Sequence, residues 1–148
     1  MLAQAAINRA PEQKTILLVE DFDDTRLMTK LWLTKKGYRV VEAENGAKAV
    51  DLAQSEQPDL IIMDMMMPGM NGLDATQEIR QDQTLRRTPI VAVSAYGVDE
   101  YRRLALDAGC NEYVSTPFDP AALAEIIASL LAAQVSSSSD AQPTNLAP

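Results

Sequence analysis

The stretch Leu60–Gly72, LIIMDMMMPGMNG, decides how this chain folds. Leu60-Ile61-Ile62-Met63 is an unbroken apolar run, the pattern of a short strand buried on both faces of a parallel sheet. It runs into Asp64, and Pro68-Gly69 soon stop any regular element. A carboxylate at the carboxyl end of such a strand stands where open α/β sheets hold their ligands. A lone aspartate there is explained equally well as the cap of a turn. A second acidic strand end shifts the balance: the buried run Ile16-Leu17-Leu18 is followed by Val19-Glu20-Asp21. Two parallel strands ending in carboxylates make one acidic pocket.

Working outward, the rest of the chain supplies the units such a sheet needs. The first strand is Thr15–Glu20, and a helix follows over about 24–36 with Asp23 or Asp24 as N-cap and Gly37 past its end. In that helix Leu27 with Leu31 and Met28 with Trp32 form an apolar face, with Lys30, Lys35 and Lys36 turned to solvent. Trp32 reads as a core residue rather than a ligand-stacking one. Strand two is Arg39–Ala43, the turn Asn45-Gly46 leads to a helix over 47–55, and Pro58 introduces strand three, 59–64. A long loop, 65–71, precedes a helix over 72–81. Pro89 opens strand four, Ile90–Ser94, followed by a helix over 98–108 closed by Gly109. Strand five is Glu112–Ser115, and the last helix, 120–133, begins with proline at a favourable first position. Five strands alternating with five helices over short connections demand an α/β fold, a parallel sheet covered on both faces. Residues 1–13 read as a flexible arm, 14–134 as the domain, and 135–148, with four consecutive serines, as a disordered tail.

Composition narrows the chemistry. The 148 residues suffice for one domain with a full core, and the 47% apolar fraction is that of a globular protein. A net charge of −8 without a long basic run argues against a nucleic-acid surface. The apolar runs are too short to cross a bilayer. The opening MLAQAAINRAPEQK lacks the sustained apolar core of a signal peptide, which predicts a cytoplasmic protein. Cys110, the one cysteine, cannot make an internal disulfide and reads as a small packed apolar residue. There is no histidine, so Ser-His-Asp catalysis and histidine metal sites are excluded.

What remains is oxygen-ligand chemistry. Glu20, Asp21 and Asp64 should converge at the carboxyl edge of the sheet, where like charges raise one another's pKa or recruit a cation. With no His or Cys nearby the fitting ion is hard and oxygen-seeking, and Mg²⁺ is the natural choice. A carboxylate beside such an ion can act as a nucleophile towards phosphorus. Neither GxxxxGK[ST] nor a GxGxxG after strand one occurs, and the turn FDDT disfavours a flavin phosphate. The methionines at 63, 65, 66, 67 and 70 read as adaptable packing rather than sulfur ligands.

Taken together, Glu20-Asp21 after strand one, D-M-M-M-P-G-M-N-G from Asp64, Ser94-Ala95 after strand four, and Tyr113 with T-P-F at 116–118 resemble the receiver domain of two-component response regulators, over about 14–134. The resemblance implies a flavodoxin-like strand order 2-1-3-4-5. It implies Asp64 as phosphoacceptor from a sensor histidine kinase or histidine phosphotransfer protein. Mg²⁺ would be held by Asp21, Asp64 and the Met66 backbone carbonyl, with Glu20 acting through a water. Ser94 would donate its hydroxyl to the phosphoryl group, and Tyr113 would be the aromatic switch that turns inward as Ser94 moves. No enzymatic activity is implied beyond Mg²⁺-dependent self-phosphorylation and self-dephosphorylation.

One departure stands against these matches. Receivers of this kind carry a lysine immediately before the proline after strand five, and here that position is Thr116. A hydrogen bond to a charged group is worth about 1.5–3 kcal/mol, so its loss weakens the phosphorylated state by roughly one to two decades. Lys14 lies at the far end of strand one and Arg102-Arg103 on the fourth helix, which leaves Arg26 as the best-placed substitute. The departure keeps open a second reading, a receiver-like interaction module whose output does not depend on phosphate. A haloacid-dehalogenase-like phosphatase would need a second Asp where this chain has Met66. With nothing but the tail after residue 134, output is expected through the domain's own surface. The nearly uncharged last helix, with only Glu125 ionisable in AALAEIIASLLAA, points to a homodimer or effector contact through the fourth and fifth helices.

Overall fold

The computed structural model describes residues 13–95 and 99–146, with side chains as far as 134. Continuous apolar runs build the central strands β1 (Thr15–Val19), β3 (Leu60–Asp64) and β4 (Ile90–Ser94). The edges are β2 (Arg39–Ala43) and β5 (Glu112–Ser115), both carrying charged residues, as suits strands with one unpaired side. All pairings are parallel, in the order β2-β1-β3-β4-β5. The α/β, flavodoxin-like architecture expected from the sequence is the one observed. Between them run α1 (Asp23–Lys35), α2 (Gly46–Glu56), α3 (Gly72–Gln81), a short 3₁₀ turn (Gln83–Leu85), α4 (Asp99–Ala108) and α5 (Pro120–Leu146).

Alternation along the strands divides the core in two. Leu17, Val19, Ile61, Met63 and Ala92 face α2, α3 and α4, packing on Ala49, Ala53, Ala75, Ile79 and Ala105. Ile16, Leu18, Leu60, Ile62 and Val91 face α1 and α5, packing on Leu33, Leu123 and Ile127. Cys110 is buried among the first set beside the Thr76 hydroxyl, in line with its reading as a packing residue. Met63, Met65 and Met67 are buried too, so most of the Met-rich stretch fills the core under α3.

Helix α1 departs from its expected face. Leu27, Met28 and Leu31 are 53%, 71% and 57% exposed, while Leu33 is buried and Trp32 half-buried. The stripe turned to the sheet is Thr25, Thr29, Trp32 and Leu33, a sound i, i+4, i+7, i+8 series whose first two members are polar. Apolar periodicity alone therefore selects the wrong side. The N-cap is Phe22 without a side-chain cap, so Asp23 and Asp24 sit in the first turn, where they complement the helix dipole. Lys30, its side chain 40% exposed, also reaches Glu42 at 3.0 Å. Gly37 ends the segment with φ +101°, as its expected place past the helix requires.

At the chain ends, α5 continues to Leu146, past the expected stop at Ala133. Residues 1–12 of the expected arm, and Val98, the expected first residue of α4, lie outside the described residues. The division at 13/14 and 134/135 stays a proposal. Among the described residues no helix is long and apolar enough to cross a membrane.

Candidate functional site

Strand order creates the site. β2 lies on one side of β1 and β3 on the other, so the connections leave β1 and β3 in opposite directions and open a crevice between their carboxyl ends. Glu20 and Asp21 follow β1, and Asp64 ends β3. One carboxylate oxygen from each of the three lies within 4.8 Å of the others. The expected convergence of separate strand ends is thus observed.

The local backbone holds these acids in place. The Asp64 Oδ1 accepts a hydrogen bond from the Met66 amide at 3.0 Å, and Glu20 Oε2 accepts one from the Phe22 amide at 3.1 Å. Gly72, at the start of α3, packs against the strand end: a Cβ there would lie 2.5 Å from the Asp64 carbonyl oxygen and 2.7 Å from the Met65 Cα. Asn71 caps α3 by accepting from the Asp74 amide at 2.9 Å. Thus the turn after Asp64 is tied down at both ends.

Electrostatically the pocket is under-compensated. Burial pushes the Asp64 carboxyl up to about 7; the Met66 amide opposes this, and the neighbouring Glu20 charge adds to it. Burial also raises Glu20, against the pull of the Phe22 amide. The hydrogen bond between the two favours charge on Glu20 and the proton on Asp64. Three oxygen donors this close, with two held above their ordinary range by burial, fit a hard divalent cation, which would supply the missing positive charge.

The remaining predicted residues lie around this centre. Asp64 pairs with Val93, which puts Ser94 one residue further along the neighbouring strand; its side chain is 1% exposed. Tyr113 pairs with Ala92, so it shares a sheet face with Ser94, and it is already inward, 7% exposed in the core facing α4. Thr116 donates its amide to the Ser94 carbonyl at 2.8 Å, precedes a cis peptide bond to Pro117, and lines a cavity together with Glu20 and Asp64. Met66 is surface-exposed, and its sulfur accepts from the Tyr101 hydroxyl at 3.3 Å.

Arg26 does not stand in for the missing lysine. Its guanidinium donates to the Glu20 carbonyl oxygen at 2.9 Å, to Asp23 at 2.8 Å and to Glu42 at 3.3 Å. It braces the β1–α1 turn from behind, and its charge is matched by two carboxylates outside the triad. Sequence reasoning also missed Thr25 and Thr29, which line the same cavity from α1. Their i, i+4 spacing ahead of Trp32 and Leu33 was the available signal.

A parallel sheet with three acids at its switch point defines a class of α/β domains with an acidic pocket at the sheet's carboxyl edge, and the comparisons narrow it. The family model described as the response regulator receiver domain matches residues 16–128, and this chain belongs to that family. It is similar to the polar-differentiation response regulator DivK of Brucella anthropi, with 32% identity over 118 residues, 80% of this chain and 96% of that one. Among solved structures, the receiver domain of a sensor histidine kinase from Pseudomonas aeruginosa PAO1 is 36% identical with a TM-score of 0.76, covering 81% of this chain and 98% of its own. That protein is described with a magnesium ion coordinated in its active site cleft. A response regulator from Chloroflexus aurantiacus J-10-fl superimposes with a TM-score of 0.78 at 30% identity, covering 82% and 99%.

Proposed function

We propose that the chain is a cytoplasmic response regulator of a two-component or phosphorelay system, phosphorylated on Asp64 in a Mg²⁺-dependent reaction. The observation that carries this reading is the meeting of Glu20, Asp21 and Asp64 oxygens within 4.8 Å at the switch point. Asp64, Asp21 and the Met66 carbonyl would hold the ion, with Glu20 behind a water. When bound, Mg²⁺ neutralises the incoming phosphoryl oxygens so that a carboxylate can approach. A carboxylate oxygen of Asp64 attacks the phosphorus of a phosphohistidine, the P–N bond breaks, and the electron pair leaves with the imidazole, which takes a proton. Ser94 then donates its hydroxyl to the new acyl phosphate, and Tyr113 reports that movement to α4.

The donor is a sensor histidine kinase or a histidine phosphotransfer protein. Support comes from the exposed apolar residues Phe22, Leu27, Met28 and Leu31, which begin beside the acidic turn and run along α1. Output passes through the α4–β5–α5 face, where Leu104 and Leu106 are exposed on α4 and the alanines at 121, 122 and 128 on α5. A homodimer or an effector protein is the proposed occupant.

Acetyl phosphate with Mg²⁺ should add one phosphoryl group to the wild-type protein by intact-mass spectrometry and none to Asp64→Asn. Calorimetry should show Mg²⁺ binding that Asp21→Asn abolishes; no heat at millimolar Mg²⁺ counts against the pocket. Thr116 favours a second reading, because no lysine or arginine is among the residues lining the cavity it shares with Asp64. In that reading the surface signals irrespective of phosphate, and neither acetyl phosphate nor beryllofluoride changes the spectrum of the α4–β5–α5 face.

A further inference from the structure

Helix α1 turns its most apolar residues away from the sheet, and they lie in a definite order. Leu27, Met28 and Leu31 are exposed along one stripe, which Asp24 opens in the first turn and Lys35 closes in the last. Positions 24, 27, 28, 31 and 35 follow the i, i+3, i+4, i+7, i+11 spacing of a helix-pairing seam. Between residues 24 and 35 the helix rises by about 16 Å. Beside Leu31 an open groove runs along Trp32, Thr34 and Lys35.

The charges sort in the same way. Asp23 pairs with Arg26, and Arg26 and Lys30 both reach Glu42. Asp24 and Lys35 enter none of the ion pairs among the described residues. The stripe is therefore acidic at one end, apolar in the middle and basic at the other. Such a surface is complementary to itself when turned end for end. Rotating a second copy by a half turn about the middle of the stripe sets Asp24 against Lys35 of the second copy, and the same contact repeats at the other end. Leu31 then meets Met28 of the second copy, whose pliable thioether can fill the groove. A parallel pairing instead sets Asp24 against Asp24 and Lys35 against Lys35, which like charges oppose.

We propose that α1 is a self-association surface, on which a second copy of this chain packs antiparallel, with Asp24 against Lys35 at both ends and Leu27, Met28 and Leu31 between them. Two helices about 20 Å long stay below the roughly 1,200 Å² of a stable interface, so the dimer forms and parts readily. The pairing is separate from the α4–β5–α5 face and does not depend on Asp64. Its consequence does rest on the response-regulator reading. A histidine donor that docks along α1 finds this face free only in the monomer, so self-association withholds the protein from its donor.

The test is analytical ultracentrifugation of the full chain at low salt, without Mg²⁺ or any phosphoryl donor. The wild type should pass from monomer to dimer with a dissociation constant on the order of 100 μM. Asp24→Lys and Lys35→Asp each bring like charges together at both ends, and each should weaken association about tenfold. The double variant, and an equimolar mixture of the two single variants, should recover wild-type association, because every reversed side chain again meets its opposite. That recovery also shows that the single variants do not fail by unfolding. Leu31→Lys should remove the dimer at every concentration. A monomer throughout, a dimer that ignores the reversals at 24 and 35, or single variants that do not rescue one another would each overturn the proposal. Phosphorylation by acetyl phosphate is read separately by mass, so its failure would count against the proposed function and leave the pairing standing.

Discussion

Replacing Asp64 with Asn measures what the acidic pocket costs the fold. Burial, with the Glu20 charge adding to it, moves the Asp64 carboxyl from 3.8 to about 7. An acid whose pKa rises on folding keeps its proton longer in the native state. Below pH 3.8 both states are protonated and nothing is lost. As pH climbs from 3.8 towards 7 the unfolded chain ionises first, stability falls, and above 7 the whole cost is present. The gap corresponds to about 4 kcal/mol. The carboxyl is only partly buried, and screening by solvent reduces this to about 2 kcal/mol. Asparagine keeps the shape and the acceptor for the Met66 amide but carries no charge. In EDTA, urea denaturation should therefore show Asp64→Asn more stable than wild type by about 2 kcal/mol at pH 8, shrinking to less than about half of that at pH 4. Millimolar Mg²⁺ should close the difference by stabilising the wild type. A gap that is flat between pH 4 and 8, or one that widens towards pH 4, refutes the electrostatic reasoning.

Other perturbations test the parts that hold the site. Gly72→Ala sets a methyl against the Asp64 carbonyl and the Met65 backbone, and overpacking of this kind should cost about 1–3 kcal/mol and weaken Mg²⁺ binding, read by urea melts and calorimetry. Arg26→Met removes the brace on the Glu20 carbonyl along with two partly exposed ion pairs, and should cost about 1–2 kcal/mol at low salt and less at high salt. Cys110 is buried and its thiol is pushed up by that burial, so iodoacetamide at pH 8 should label it only at the rate of unfolding and quickly in urea; fast labelling of the native protein would show that the segment after α4 opens.

Much of the fold was legible because the central strands are buried on both faces. A segment such as Leu60–Met63 has no polar side to display, so its apolar run needs no partner to be read. The acids at 20, 21 and 64 were legible for a related reason: each breaks such a run at its carboxyl end. Helix α1 was misread because its inward stripe begins with Thr25 and Thr29 and its most apolar residues face out. Where a helix covers a polar pocket as well as a core, hydrophobic periodicity reports the wrong face. Arg26 was misjudged because its partner Glu42 comes from the neighbouring strand, sixteen residues away in the chain.

By itself the sequence determined which segments are strands and where acids interrupt them, since these depend on residues adjacent in the chain. Only the tertiary structure decided that β1 lies beside β3, that three carboxyl oxygens come within 4.8 Å, and that Arg26 turns away from them. It alone opened the space beside Thr116. Those outcomes rest on contacts between distant segments, where the packing of helices on a twisted sheet, and not local preference, sets the distances.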